Sequence, residues 1–238
     1  MWKQLFAAKG KPPGSLIDIL TPPRAQSLIK LNSGDIQKWR TYDDKELGGF
    51  SNCTFTSTQN QAAAFQGVTS TRIDEQRAPY SAEYRKKATK TGFCAIRLDV
   101  QHEKWELEEF HGLKFVLKPD SRNYIFNVRT LGMVGHDYNE DLFQAHIPRA
   151  SRPGMWNEIF IPFCDFNLTN RGIVQPNESM NLNTITEVGF LIADLQSGPF
   201  ELQIESIEAF RYQEEDKKFG VDVDRILERN EELGYAGE

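Results

Sequence analysis

The chain has 238 residues, 39% of them hydrophobic and 26% charged, with a formal charge of −6 at pH 7. That length suits one large β domain or two small ones, with roughly 70% of the unfolded surface buried and no need of covalent staples. An acidic chain without a Lys/Arg stripe is a poor nucleic-acid binder, and no apolar run approaches the roughly 20 residues a spanning helix requires.

Residues 1–31 carry Lys3, Lys9, Lys11, Arg24 and Lys30 against Asp18 alone, with Trp2, Leu5 and Phe6 among them. This is neither the long apolar core of a secretory signal nor an Arg/Ser-rich transit peptide; it reads as the remnant of one, or as a basic arm for a membrane or a partner. Ser15 is placed to cap a short helix through Leu16, Ile17, Ile19 and Leu20, ended by Pro22-Pro23 and apolar enough to dock. Residues 39–51 (WRTYDDKELGGFS) end in a Gly-Gly pair, the mark of positive φ or close backbone approach.

The alternation of Cys53, Phe55 and Ser57 with Thr54, Thr56 and Thr58 predicts a strand, and residues 62–68 its return. A long polar connection follows over residues 69–91, holding Arg72, Arg77, Arg85, Lys86, Lys87 and Lys90; such loops serve interaction more often than packing. Residues 94–99, 113–117 and 124–128 alternate as strands, the last two reading as a hairpin around Lys118-Pro119-Asp120-Ser121. Residues 130–147 and 167–185 read as polar connections, and residues 156–163 as a strand with Ile159, Ile161 and Phe163 in phase.

Residues 187–210 are the most legible stretch. Residues 188–193 form an apolar run expected to be covered on both faces, and Gln196-Ser197-Gly198-Pro199 turns the chain. Phe200, Leu202 and Ile204 then alternate with Glu201, Gln203 and Glu205, so the two strands read as a pair joined by a tight turn. Ile207 falls on the opposite parity from Ile204, which predicts a bulge at Ser206. About nine strands with little helix amount to a β-sandwich or jelly roll, since without crossover helices no parallel sheet can form. Residues 222–233 bring Val223, Ile226 and Leu227 to helical spacing within an acidic tail, where residues 211–238 hold nine acids against five bases.

Reactive constellations are sparse. His102, His111, His136 and His146 show no HExxH and no helical ligand spacing, so surface or hydrogen-bonded histidine is the better reading. There is no GxGxxG, GxxxxGK[ST] or GxSxG. Cys53, Cys94 and Cys164 are odd in number, without a CxxC pair, and lie on or beside apolar strands. They read as packed thiols in a reducing compartment. Asp43, Asp44, Asp120, Asp137, Asp165 and Asp194 sit at turns, where capping of local N–H groups outweighs a glycosidase pair. Tyr42, Trp105, Tyr124 and Trp156 read as core or rim aromatics before they read as a sugar-stacking platform. The Asn-x-Ser/Thr triplets at Asn52, Asn167 and Asn177 would matter only in a secreted chain.

The blocks TYDDKELGGFS (41–51), FQGV (65–68), GFCAIR (92–97), FHGLKFVLKPDSRNYIFNVRT (110–130), MWNEIFIPFCDF (155–166) and VGFLIADLQSGPFELQIESIEAF (188–210) stand in an order that resembles the complex I intermediate-associated protein 30 family. The resemblance covers residues 39–212. It implies an all-β, galactose-binding-like or jelly-roll sandwich of antiparallel strands, similar to carbohydrate-binding modules. The motif residues it carries over are Asp44, Gly48, Gly49, Gly67, Gly112, Leu113, Asp120, Arg122, Tyr124, Trp156, Pro162, Phe163, Gly189, Asp194, Gly198, Pro199 and Phe200, mostly as fold determinants. Ser121 stands where the pattern leads one to expect Gly.

The implied organisation is a basic arm over 1–38, a sandwich over 39–212 and an acidic tail over 213–238. The implied role is a chaperone that assembles mitochondrial respiratory complex I. It would bind a membrane-arm intermediate and other assembly factors, leave before the complex matures, and work in the matrix against the inner membrane without catalysis, metal or cofactor. Partner contact is expected from Trp2, Lys3, Phe6, Lys9, Lys11, Leu16, Ile17, Leu20, Arg72, Arg77, Arg85, Lys86 and Lys87. The alternative is a carbohydrate-binding module of the same fold, with Trp105 and Trp156 stacking on sugar rings.

Overall fold

The computed structural model describes residues 25–31, 36–58, 61–74, 92–103, 105–131, 141–150, 152–170, 173–175, 178–213 and 222–235. The expected helix over residues 15–20, the arm residues Trp2 to Arg24, and Arg77, Arg85, Lys86 and Lys87 lie outside them.

Two antiparallel sheets stack face to face. One is six-stranded and contains β1 (Ala25–Lys30), β3 (Asn52–Ser57), β4 (Ala63–Thr69), β6 (Gly112–Pro119), β9 (Asn157–Pro162) and β13 (Gly198–Phe210). The other runs β11 (Ile173–Gln175), β10 (Asn167–Asn170), β8 (Asp141–His146), β7 (Tyr124–Thr130), β12 (Ile185–Ile192), β5 (Cys94–Asp99) and β2 (Trp39–Asp43). The sandwich expected from the strand list is the fold observed.

Strand β13 organises the first sheet. One edge pairs with β4 over residues 198–204 and then with β1 over residues 206–210, while the other pairs with β6. The register against β6 shifts between Ile204 and Ser206, the bulge that the slip in apolar parity predicts. The carbonyl of Glu205 at the bulge accepts the N–H of Leu31 at 3.0 Å. Strand β1 thus belongs to the sandwich although residues 1–38 read as an arm: it is short and mostly exposed, with only Ile29 fully buried, so its apolar signal is weak.

Two expected hairpins do not form. Strand β6 lies in one sheet and β7 in the other, and the same holds for β12 and β13. Both short connections, residues 120–123 and 193–197, are corners that carry the chain across the sandwich. Strand β12 is fully covered on one face, where Val188, Phe190 and Ile192 are buried, and only partly on the other, where Gly189 is buried but Leu191 is partly exposed.

Inward-facing residues of both sheets form one core. Phe115 of β6 meets Phe126 of β7 edge-on at 4.8 Å and Phe190 of β12 at 6.0 Å, and Phe126 lies 4.9 Å from Phe190. Such edge-on pairs, two across the sheets and one between neighbouring strands, add about 0.5–1.5 kcal/mol each beyond burial. The helix expected over residues 222–233 is α1 (Val223–Glu232), capped by the Asp222 carboxylate on the Arg225 N–H at 3.1 Å. Its buried Val223 and Ile226 pack on Phe210 and Tyr212, with Phe160 and Cys164 alongside, and cover part of the outer face of the first sheet.

Candidate functional site

At one end of the sandwich the loops after β2, β4, β6 and β12 meet the loops that lead into β3, β5, β7, β9 and β13. Two carboxylate-centred knots fix them. The first is Asp44, wholly buried after β2. It accepts from the Ser51 N–H and hydroxyl, each at 2.9 Å, from the Gly92 N–H at 2.6 Å and from the Phe93 N–H at 3.4 Å. The Ser51 hydroxyl in turn accepts the Ser70 N–H at 2.9 Å. One side chain thereby ties the β2–β3 loop to both ends of the β4–β5 connection. The Gly-Gly pair is what lets it sit there: Gly48 has φ 82°, and a Cβ on Gly49 would land 2.1 Å from the Asp44 carboxyl carbon.

The second knot joins the two inter-sheet corners. Arg122 grips Asp194 with both prongs of its guanidinium, Nε to Oδ2 at 2.7 Å and Nη2 to Oδ1 at 2.6 Å. Its Nη2 also donates to the Gln196 carbonyl at 2.8 Å and the Thr69 hydroxyl at 2.9 Å, and Nη1 to the Pro199 carbonyl at 2.9 Å. The side chains are 9% and 1% exposed, the fork geometry that lets a buried pair repay its desolvation. Burial alone would raise Asp194, but the Arg122 hydrogen bonds and the Gln196 N–H outweigh it and hold the carboxyl below its ordinary 3.8. Asp120 completes the knot, accepting from the Arg122 N–H at 2.8 Å, the Glu201 N–H at 2.8 Å and the Tyr124 hydroxyl at 3.0 Å. Burial, then Asp120, pushes the Tyr124 phenol up, so it stays a donor. Ser121 sits in this corner and not in a hairpin, which removes the need for the expected glycine.

The knots hold large apolar side chains in solvent. Leu195 has φ 59° and is 58% exposed, while the residues on both sides of it are fixed by Arg122. Phe50 is 46% exposed beneath the guanidinium of Arg72, which lies 5.5 Å from the ring centre. Met155 and Trp156 are exposed in a loop anchored by the Gly154 N–H on the Pro119 carbonyl at 2.7 Å. The Thr71 N–H donates to Ser197 at 3.0 Å, linking the Phe50 and Leu195 loops into one rim.

Of the residues singled out from sequence, Asp44, Gly48, Gly49, Asp120, Arg122, Tyr124, Asp194, Gly198, Pro199, Phe200 and Trp156 gather at this end. So does Arg72 of the expected partner contact. Gly112, Leu113, Pro162 and Phe163 lie at the opposite end, where Gly112 pairs with Pro162 and Phe163 is fully buried. Leu195, Phe50 and Met155 were not singled out, although a large apolar residue within a polar turn was the available signal. The opposite end also holds an acidic cleft of about 560 Å³ lined by Trp105, Glu106, Glu108, Glu109 and Asn183 among others. Trp105 is 7% exposed there and Trp156 stands at the far end, so the two do not form one stacking platform. Among the described residues no group of three or more His, Cys, Asp or Glu could hold a metal ion, and no helix is long and apolar enough to cross a membrane.

Two antiparallel layers closed at one end by pinned loops define a β-sandwich. The family 11 carbohydrate-binding module from Clostridium thermocellum, solved in complex with a β-1,3-1,4-mixed-linked tetrasaccharide, superposes with a TM-score of 0.50 at 15% identity, over 80% of this chain and 97% of that one. That likeness shows the fold alone. The profile of the family described as "Complex I intermediate-associated protein 30" matches residues 29–204, and the chain belongs to that family. Two relatives named "Complex I intermediate-associated protein 30, mitochondrial" are 25% identical: one from Neurospora crassa over 198 residues, 80% of this chain, and one from Mus musculus over 205 residues, 81% of it. The chain spans 61% and 58% of their respective lengths.

Proposed function

We propose that the chain is a mitochondrial assembly factor for respiratory complex I, and that it engages a membrane-arm subunit of an assembly intermediate through the rim built by Asp44 and Arg122. Family membership and the names of the relatives support the role. The observation that carries the rim assignment is Leu195: a bulky side chain in the left-handed region, exposed, and clamped by Arg122 on both sides, through the ion pair to Asp194 and the hydrogen bond to the Gln196 carbonyl. Strain of this kind, of order 1–3 kcal/mol, persists where a surrounding network over-determines it, and it clusters at binding sites. A chaperone that binds and leaves needs such apolar anchors set among charges, and no turnover chemistry.

Arg77, Arg85, Lys86 and Lys87, which fall between β4 and β5 in the sequence, serve as a further contact for the partner. The basic stretch through Trp2, Lys3, Phe6, Lys9 and Lys11 serves as a second contact, toward the subunit, other assembly factors or the inner-membrane surface on the matrix side. Electrostatic segments raise encounter rates and exclude wrong partners more than they add affinity.

The test is Leu195→Asp in cells whose own copy is deleted. We expect complex I membrane-arm subunits to be lost from the co-purified material, while the melting temperature of the purified variant stays within a few degrees of the parent. Undiminished recovery of those subunits would refute the rim assignment. A parallel deletion of residues 1–24, which spares β1, separates the contribution of the basic arm.

A further inference from the structure

From the sequence the three cysteines read as packing residues; the fold brings two of them together. Cys53 lies on β3 in one sheet and Cys94 on β5 in the other. Their alignment follows from the interleaving of the layers. Phe55 of β3 stacks on Trp39 of β2 at 5.2 Å, and Trp39 is the partner of Leu98 on β5. Along β2, Tyr42 pairs with Ala95 and Asp43 with Cys94, so a contact with Tyr42 brings Cys53 beside Cys94. The Cys53 thiol donates to the Tyr42 carbonyl at 3.4 Å, next to that pair. Cys94 is wholly buried, whereas Cys53 is half-exposed on the strand at the sheet edge.

The two thiols are unequal. A hydrogen bond from Cys94 lowers Cys53 against the opposing effect of burial, and the same contact with burial raises Cys94. The Asp43 charge opposes this lowering of Cys53, and the Ala95 backbone and the Lys45 ammonium add to it. Cys164, beside α1, is pushed up to about 11, first by burial and then by Asp165. The accessible sulfur is therefore the more readily ionised of the two, and the sulfur behind it holds its proton more tightly. That is the arrangement of an attacking and a resolving cysteine.

We propose that Cys53 and Cys94 are a redox pair that closes an inter-sheet disulfide when the protein meets a hydroperoxide. The Cys53 thiolate attacks the distal peroxide oxygen and the O–O bond breaks. With one proton taken up, this leaves a sulfenic acid on Cys53 and water, or an alcohol from an organic hydroperoxide. The Cys94 sulfur then displaces hydroxide from the sulfenic sulfur. The Cys94 proton leaves with it as a second water, and the S–S bond forms. Two thiols are oxidised by two electrons and one peroxide is reduced. The bond would staple the edge strand β3, which begins one residue beyond Ser51 of the Asp44 knot, to β5, the penultimate strand of the opposite layer. The proposal stands independently of the assembly role.

The experiment exposes the reduced full chain to a small excess of hydrogen peroxide, alkylates remaining thiols and maps the peptides by mass. We expect a product about 2 Da lighter than the reduced protein, a Cys53–Cys94 linked peptide, an alkylated Cys164, and full reversal by dithiothreitol. Cys94→Ser should accumulate a Cys53 sulfenic acid that a dimedone probe captures, Cys53→Ser should lose the fast reaction, and Cys164→Ser should behave as the parent. Circular dichroism of each variant establishes that the sandwich is intact. Faster oxidation of Cys164 than of Cys53, a link through Cys164, or Cys53 sulfinic acid with Cys94 still open to alkylation after unfolding would each overturn the proposal.

Discussion

Asp44 and Arg122 do at single positions what length of chain cannot: each gathers several loops onto one buried charge. For Arg122 the consequence is measurable. Arg122→Ala leaves the Asp194 carboxylate, 1% exposed, without its counter-charge and frees the Gln196 and Pro199 carbonyls. Breaking a buried pair in this way costs roughly 3–5 kcal/mol, to be read as a fall in the urea midpoint with the m-value unchanged. Arg122→Lys keeps the charge without the fork and should recover only a minor part. A loss below 1 kcal/mol would mean that the pair is not the clamp described. Much at this scale was legible before the structure: Asp at turns read as caps, and Gly48-Gly49 read as backbone in close approach. What could not be read was the partner of each charge, because Arg122 and Asp194 are 72 positions apart.

At the scale of elements, the helix tail shows how a titratable group couples one element to another. The Nδ1 of His111 accepts the Tyr212 N–H at 2.9 Å, and its carbonyl takes the Phe163 N–H at 2.9 Å and the Asn230 side chain of α1 at 3.4 Å. Burial, then the charge of Arg211, holds this imidazole below its ordinary 6.5. The unfolded chain then takes up the proton more readily. The contribution is fully present above pH 6.5 and is lost as the pH falls from there through the folded value. Melting temperature followed from about pH 7.5 to 5 should therefore drop more steeply for the parent than for His111→Asn, and parallel curves would contradict the coupling. Strand parity located the bulge in β13, yet the corners after β6 and β12 were read as hairpins. A four- or five-residue turn between alternating strands looks alike whether the chain returns in the same sheet or crosses to the other. Strands β1, β2, β8, β10 and β11 were not read as strands because they are short, at the periphery of their sheets, or polar, like the NLTN of β10.

Across the whole molecule, the two layers share a single core, and the rim is a product of their stacking. Each knot draws on both sheets: Asp44 touches segments that lead to β3 and β5, and Arg122 touches Thr69 of β4 and Asp194 after β12. No half of the sandwich could present Leu195 as the whole does.

Because the Arg122–Asp194 grip spans so much chain and needs both corners already turned, it closes at the end of the journey to the native state. Contacts absent from the barrier crossing govern how fast the fold comes apart, not how fast it assembles. In a chevron experiment Arg122→Ala should accelerate the unfolding limb by about two to four orders of magnitude and leave the refolding limb nearly where it was. The clamp is then a latch on lifetime, setting how long the two corners and the exposed Leu195 between them hold their shape.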